Sequence, residues 1–192
     1  MSMKASAARR PAAKTAAGRA RKVGMLLMDV DGTLTDGRLA VLPDGEEIKS
    51  YHVRDGLGIL LARMAGLRLG IITGKVSKAL EKRAGRLGIF KLHQGILDKG
   101  KVLRDIMGRQ GLTAEQVAYI GDDRGELEVM KAVGPAAAAG DAHPDVKRQA
   151  HYMWRAAGGR GAVREFIEFV LVAQGKWADI RTRAQEVRNF KP

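Results

Sequence analysis

Asp29 and Asp31 are two carboxylates separated by one valine, and Gly32 and Thr33 follow them directly. The apolar run Met25–Met28 leads straight into the pair, so the acids fall where a buried strand would end. If the chain unwinds after Asp29, with Gly32 permitting a tight bend, both carboxylates can turn toward one point. Such a pair suits a hard cation. Magnesium takes one or two carboxylates, keeps several waters and is commonly bound together with a substrate phosphate. A carboxylate with a reference pKa of about 3.9 is ionised at neutral pH and can attack phosphorus without a base. The difficulty is anion against anion, and phosphate monoesters are slow enough that enzymes accelerate their hydrolysis by up to about 10²¹-fold. A divalent ion and a lysine would reduce the repulsion, and two displacements through a covalent intermediate are each easier than one. The leaving alkoxide needs a proton and the later water must lose one; Asp31 is placed to serve both steps.

The elements that must carry these residues read as alternating strands and helices. After Met25–Met28, residues 67–72, Lys91–His93, 117–120 and 136–139 are short apolar runs. Between them, residues 56–65 follow Asp55 as N-cap and stop at Gly66. Residues 77–87 stop at Gly88, Lys99–Gln110 stops at Gly111, and a short helix precedes Gly134. Uniformly apolar strands alternating with helices predict an α/β fold, a Rossmann-like parallel sheet with helices on both faces. Ligands of such sheets sit beyond the carboxyl ends of the strands. Asp29, Thr73 and Asp122 fall there on three different strands. Residues 38–42, a Pro43-Asp44-Gly45 turn and residues 47–53 predict a β-hairpin inserted after the first strand. Two strands alone are marginal in water, so the hairpin's apolar residues need a partner surface, which other copies of the chain would supply. Gly158-Gly159-Arg160-Gly161 reads as an elbow before a helix with Val163, Phe166, Ile167, Val170 and Leu171 on one face.

Composition narrows the function classes. With no cysteine, disulfides and thiolate metal sites are excluded, and the four scattered histidines form no zinc-spaced pair. No apolar run approaches membrane-spanning length and the basic N-terminus lacks the apolar core of a secretory signal, so a cytoplasmic protein is expected. More than half of the net charge of +13 lies in residues 1–22, which carry seven basic residues and no acid. We read 1–22 as a disordered, solvated basic tail; a nucleic-acid or membrane-surface arm, or an Arg-rich transit peptide, are the alternatives. Residues 23–176 form the expected domain and 177–192 a C-terminal tail.

Asp29-Val30-Asp31-Gly32-Thr33 resembles the first motif of the haloacid dehalogenase (HAD) superfamily, and three further motifs follow in order. Thr73-Gly74, after Ile71-Ile72, resembles the second, Lys99 the third, and Gly121-Asp122-Asp123 the fourth. The resemblance implies Asp29 as nucleophile and Asp31 as acid/base, with Thr73 and Gly74 holding phosphoryl oxygens. It also implies Lys99 as the neutralising cation and Mg²⁺ bound by the Asp29 side chain, the Asp31 main-chain carbonyl and Asp122, with Asp123 in support. A cation is unfavourable at a helix N-terminus, so Lys99 there hints independently at a task.

Residues 23–176 are further similar to the 3-deoxy-D-manno-octulosonate 8-phosphate (KDO-8-phosphate) phosphatase family. The similarity rests on Thr35-Asp36-Gly37, Val53-Arg54-Asp55-Gly56-Leu57-Gly58, residues 117–123, Asp141-Ala142-His143-Pro144 and residues 158–165. It implies a phosphorylated 2-keto-3-deoxy sugar acid of lipopolysaccharide precursor synthesis as substrate, no large cap domain, and hairpins that assemble a homotetramer. Substrate contacts would fall on Asp31, His52, Val53, Arg54, Asp55, Gly56, Gly74, Lys75, Arg83 and Lys99. Three positions depart from the family: Lys75 stands for a usual Arg, Leu60 for a basic residue, and Glu126 for an Asp four residues after Asp122. These leave a nonulosonate 9-phosphate as an alternative substrate. A nucleic-acid end phosphatase and, from another class, a non-catalytic HAD-fold binding or scaffold protein are rival readings; neither a membrane nor nucleic acid is the expected partner.

Overall fold

A computed structural model of the chain describes residues 13–186. Its centre is a six-stranded sheet built from β1 (Met25–Met28), β4 (Arg68–Ile72), β5 (Lys91–His93), β6 (Val117–Gly121), β7 (Ala136–Ala138) and β8 (Tyr152–Met153). The order is β5-β4-β1-β6-β7-β8 and every pairing is parallel. β1 and β6 are buried along their whole length, and β4 everywhere except Arg68, which is why these strands read as unbroken apolar runs. β8 was not anticipated: two residues with one polar neighbour give no periodic signal.

The chain leaves β1 toward β4 and β5 and then returns to β6, β7 and β8, so the sheet reverses direction beside β1. Right-handed crossovers therefore put the helices of the two halves on opposite faces. Helix α2 (Val53–Met64) lies in the first half and packs against α7 (Ala162–Ala173); α3 (Lys78–Leu87) follows it. Helices α4 (Lys99–Gln110), α5 (Leu127–Ala132) and α6 (Pro144–Gln149) pack in sequence on the other side. Gly88 and Gly111 close α3 and α4 in the left-handed conformation, as their positions predict. The stripe expected on α7 is realised: Val163, Phe166, Ile167, Val170 and Leu171 are all buried. Tyr152, Trp154, Phe166 and Phe169 form one aromatic cluster with centroids 4.7 to 6.0 Å apart.

The inserted hairpin is present but short, β2 (Ala40–Val41) pairing with β3 (Glu47–Ile48). Its second strand was expected to reach residue 53, yet Val53 opens α2. His52, not Asp55, caps that helix by accepting the Arg54 amide. Leu39, Val41, Leu42 and Ile48 are all exposed, so within one subunit the hairpin's apolar residues remain uncovered.

The N-terminal tail is not disordered throughout. Residues 13–21, expected to be unstructured, form helix α1 (Ala13–Arg21). Ala16 and Ala20, four apart and so on one face, are buried, and α1 packs on α7. Tyr152 donates its hydroxyl to the Ala16 carbonyl, Gln174 Nε2 donates to Val23 O at 2.7 Å and Arg19 to Gly134 O at 3.2 Å. Alanine-rich sequence hid this, because small residues bury little area but approach closely. The C-terminal segment likewise forms α8 (Trp177–Glu186), with Ile180 buried. Residues 1–12 and 187–192 of the expected tails lie outside the described residues. Deleting residues 1–22 is therefore expected to cost about 2 kcal/mol of stability from lost burial and hydrogen bonds. That is a fall in Tm of roughly 4–8 °C by thermal denaturation, whereas a solvated tail would leave Tm unchanged.

Candidate active site

The register of the sheet assembles the site. Met28 lies level with Ile71 on one neighbour and Ile120 on the other, so Asp29, Thr73 and Asp122 leave three adjacent central strands within one residue of each other. After Asp29 the chain turns sharply: the amides of Thr33, Leu34 and Thr35 all donate to the Val30 carbonyl, at 2.8 to 3.2 Å. Gly32 has φ +82°, and a Cβ on it would come within 2.0 Å of Asp122 Oδ2, so only glycine lets the Asp122 carboxylate reach over the turn. Thr33 Oγ1 donates to Asp122 Oδ1 at 2.9 Å and fixes that carboxylate. The glycine elbow closes the turn from outside. Gly159 N donates to Thr33 O at 2.9 Å, and a Cβ on Gly158 would fall 1.7 Å from the Gly32 carbonyl oxygen.

Asp29, Asp122 and Glu126 each bring a carboxylate oxygen within 4.8 Å of the others. Lys99, the first residue of α4, is buried beside them; its Nζ lies 2.7 Å from Asp29 Oδ1 and 2.6 Å from Glu126 Oε1. Glu126 was marked in the sequence only as a departure. Its extra methylene lets one carboxylate serve two ends: Oε1 meets Lys99, while Oε2 accepts the Asp122 and Asp123 amides at 3.1 and 2.8 Å. The signal available was the Asp123–Glu126 capping-box spacing, which the structure realises as a single 3₁₀ turn that orients both residues. The side chain of Asp31 turns the other way, toward the hairpin, where Lys49 grips it. Lys49 carried no sequence signal of a site.

Thr73 is buried at the tip of β4, its backbone pinned by Thr73 N to His93 O at 2.9 Å and Ile96 N to Thr73 O at 3.0 Å. Gly74 follows it, exposed. Lys75 reaches Glu47 of the hairpin at 3.1 Å. Val53 and Arg54 are exposed on the first turn of α2. Arg83 lies over the Tyr51 ring at 6.0 Å and against Gly56, where a Cβ would meet its guanidinium at 2.3 Å. Burial first, and then the Asp31 carboxylate, push the Tyr51 hydroxyl up to about 12, with the Arg83 guanidinium opposing them. Leu60 is buried in the core, not facing the site as a basic residue there would. Asp55, named as a substrate contact, is instead occupied by the fold. Its carboxylate accepts Gly161 N at 3.1 Å and Arg164 N at 2.8 Å, closing the N-terminus of α7.

Residues 72–167 match the haloacid dehalogenase-like hydrolase family. The KDO-8-phosphate phosphatase of Escherichia coli K12 is 42% identical over 166 residues, 86% of this chain and 88% of that protein. The chain belongs to the haloacid dehalogenase-like hydrolases, within their KDO-8-phosphate phosphatase family. A crystal structure of the Yersinia pestis phosphatase superposes with a TM-score of 0.84 at 43% identity, covering 85% of this chain and 89% of that one. The Moraxella catarrhalis phosphatase, solved with a magnesium ion, a phosphate ion and a KDO molecule, gives 0.88 at 32% identity over 91% and 100%.

For a hydrolase of this family the charge pattern is decisive. Burial, partly offset by Lys99 and reinforced by Glu126, pushes the Asp29 carboxyl up to about 6. Burial, then Glu126 and Asp29, push Asp122 up to about 7. Burial by itself would lower the Lys99 ammonium, but its two carboxylate partners outweigh this and raise it. One ammonium among three carboxylates, two buried and one half-buried, leaves an excess of negative charge that a divalent, oxygen-seeking cation fits. The native state thus holds protons that the unfolded chain releases near pH 4, so without metal its stability falls as pH rises from about 4 through 7. With EDTA, Tm should be lower at pH 8 than at pH 5.5. Magnesium at about 100 times its Kd should add about 2.7 kcal/mol, or roughly 5–10 °C, at pH 8 and less at pH 5.5. Asp122→Asn should abolish that increment. Separately, Asp55→Ala should lower Tm by about 4–10 °C, from roughly 2–3 kcal/mol of lost charged hydrogen bonds. A substrate contact would instead raise KM at unchanged Tm.

Proposed function

We propose that this chain is a magnesium-dependent phosphatase that hydrolyses 3-deoxy-D-manno-octulosonate 8-phosphate through an aspartyl-phosphate on Asp29. The observation that carries the reading is a buried Asp29 carboxylate held 2.7 Å from Lys99 and clustered with Asp122 and Glu126 at the sheet's carboxyl edge. The likeness to a phosphatase solved with magnesium, phosphate and KDO supports the substrate class.

Asp29, Asp122 and the Asp31 main-chain carbonyl would hold Mg²⁺, with Glu126 adjoining. The ion, when bound, neutralises the phosphate's charge and keeps Asp29 ionised. Asp29 attacks phosphorus with one carboxylate oxygen, the bond to the ester oxygen breaks, and that oxygen takes its proton from Asp31. Lys99 offsets the anionic charge on Asp29 and the phosphoryl group, while the Thr73 hydroxyl and Gly74 amide bind phosphoryl oxygens. Asp31, now a base, takes a proton from the water that attacks the acyl phosphate and releases phosphate. His52, Val53, Arg54, Lys75 and Arg83 line the sugar-acid side, with Lys75 as a point charge for the substrate carboxylate in place of an arginine fork.

The exposed hairpin residues Leu39, Val41, Leu42 and Ile48 support a homotetramer in which hairpins cover one another. Among the described residues no helix is long and apolar enough to cross a membrane. We place the enzyme in the cytoplasm, at the step that releases the free sugar acid for lipopolysaccharide precursors. Phosphate release should be highest on the octulosonate 8-phosphate in a panel that includes a nonulosonate 9-phosphate and an oligonucleotide 5′-phosphate. Asp29→Asn should lower kcat by about 10⁴-fold or more, and Asp31→Asn by about 10²–10⁴-fold. Turnover that survives Asp29→Asn, or a preference for another ester, would sink the mechanism or the substrate respectively.

A further inference from the structure

Lys49 sits one residue beyond β3 on a hairpin that is otherwise exposed, yet its side chain is only 3% accessible. An ammonium is taken out of water favourably only against a partner, and the partner is Asp31, whose Oδ1 it grips. Glu47 lies two residues earlier and so on the same face of the extended chain. It reaches Lys75, just past the tip of β4, at 3.1 and 3.5 Å. Ile48 between them is directed away and stays exposed. The insertion is thus tethered to the strand tips of its own subunit by two ion pairs of opposite polarity, one to the loop after β1 and one to the loop after β4. Neither pair closes the hydrophobic core, and neither touches the cluster of Asp29, Asp122 and Glu126.

We propose that Lys49 is a positioning residue for Asp31. By holding Oδ1 it keeps this carboxylate out of the three-carboxylate cluster and on the open side of the site, where the side chain remains 27% accessible and Oδ2 can face the departing ester oxygen. The Glu47–Lys75 pair sets the height of the hairpin above the cleft. The inference rests on the phosphatase reading: when the bond from phosphorus to the ester oxygen breaks, the proton that oxygen acquires comes from Asp31, and Lys49 fixes where that proton is delivered.

The consequence is a dependence on the leaving group. An alkoxide must be protonated as it departs, whereas 4-nitrophenolate leaves without a proton. Lys49→Met should lower the single-turnover rate of sugar release from the sugar 8-phosphate by about 10²-fold, within the range general acid catalysis supplies, while single-turnover release of 4-nitrophenolate changes by less than about threefold; breakdown of the aspartyl-phosphate, where Asp31 acts as base, slows alike after either ester. The concentration of either ester giving half-maximal single-turnover rate should move little, and Lys49→Arg should restore most of the loss. Glu47→Gln, which frees the second tether and leaves Lys49 in place, should show the same selectivity at smaller size. It keeps the test open if Lys49→Met does not fold. Equal losses in the single-turnover release step on both esters, weaker binding at an unchanged release rate, or no change would overturn the assignment while leaving Asp29 as nucleophile. A wild-type enzyme inactive on both esters would overturn the phosphatase reading and this inference with it.

Discussion

The site depends on a single ammonium held between carboxylates that repel one another. Lys99 bonds Asp29 on one side and Glu126 on the other, and Asp122 stands in the same cluster with no ion-pair partner among the described residues. Burial raises both Asp29 and Asp122 because each would rather be neutral than face its neighbours charged. An arrangement this unfavourable persists only where the backbone overrules it. A divalent ion fits such a site because it would relieve repulsion already present in the fold.

The overruling comes from the sheet. β4, β1 and β6 are hydrogen-bonded neighbours buried on both faces, and their shared register fixes three strand tips before any side chain is considered. Glycine then permits what other residues would block. Gly32 yields to the Asp122 carboxylate, and Gly158 presses against the Gly32 carbonyl from the elbow at the start of α7. Asp55 holds that elbow by accepting the Gly161 and Arg164 amides, so the carboxylate of a residue that looks like part of a binding loop is engaged by the fold.

The hairpin stands in a different relation to the core. Its strands are two residues long and its apolar side chains face solvent, so packing within the subunit does not hold it. Charge does: Lys49 and Glu47 reach inward to Asp31 and Lys75. The insertion is thus fastened by charge at the strand tips and carries its apolar side chains, Leu39, Val41, Leu42 and Ile48, on its uncovered face.

Much was legible before the fold was seen, for reasons particular to certain residues. Met25–Met28 and residues 117–120 read as strands because a doubly covered parallel strand has no polar face, and Asp29 and Asp122 read as strand-tip acids because the polarity change there is abrupt. Lys99 betrayed a task by sitting at the wrong end of a helix dipole. The helix at 13–21 and the role of Asp55 were misread, since alanines carry no pattern of burial and a good N-cap residue can cap a helix other than its own. By itself, then, the sequence determined the parallel sheet, the strand-tip placement of Asp29, Thr73 and Asp122, and the class of chemistry they allow, because periodicity and residue type are local properties. Only the tertiary structure decided that Glu126 completes the cluster, that Lys49 holds the Asp31 side chain, and that Asp55 serves α7. Those pairings join residues far apart in sequence, and a lysine's choice of carboxylate is set by distance in space, which spacing along the chain does not encode.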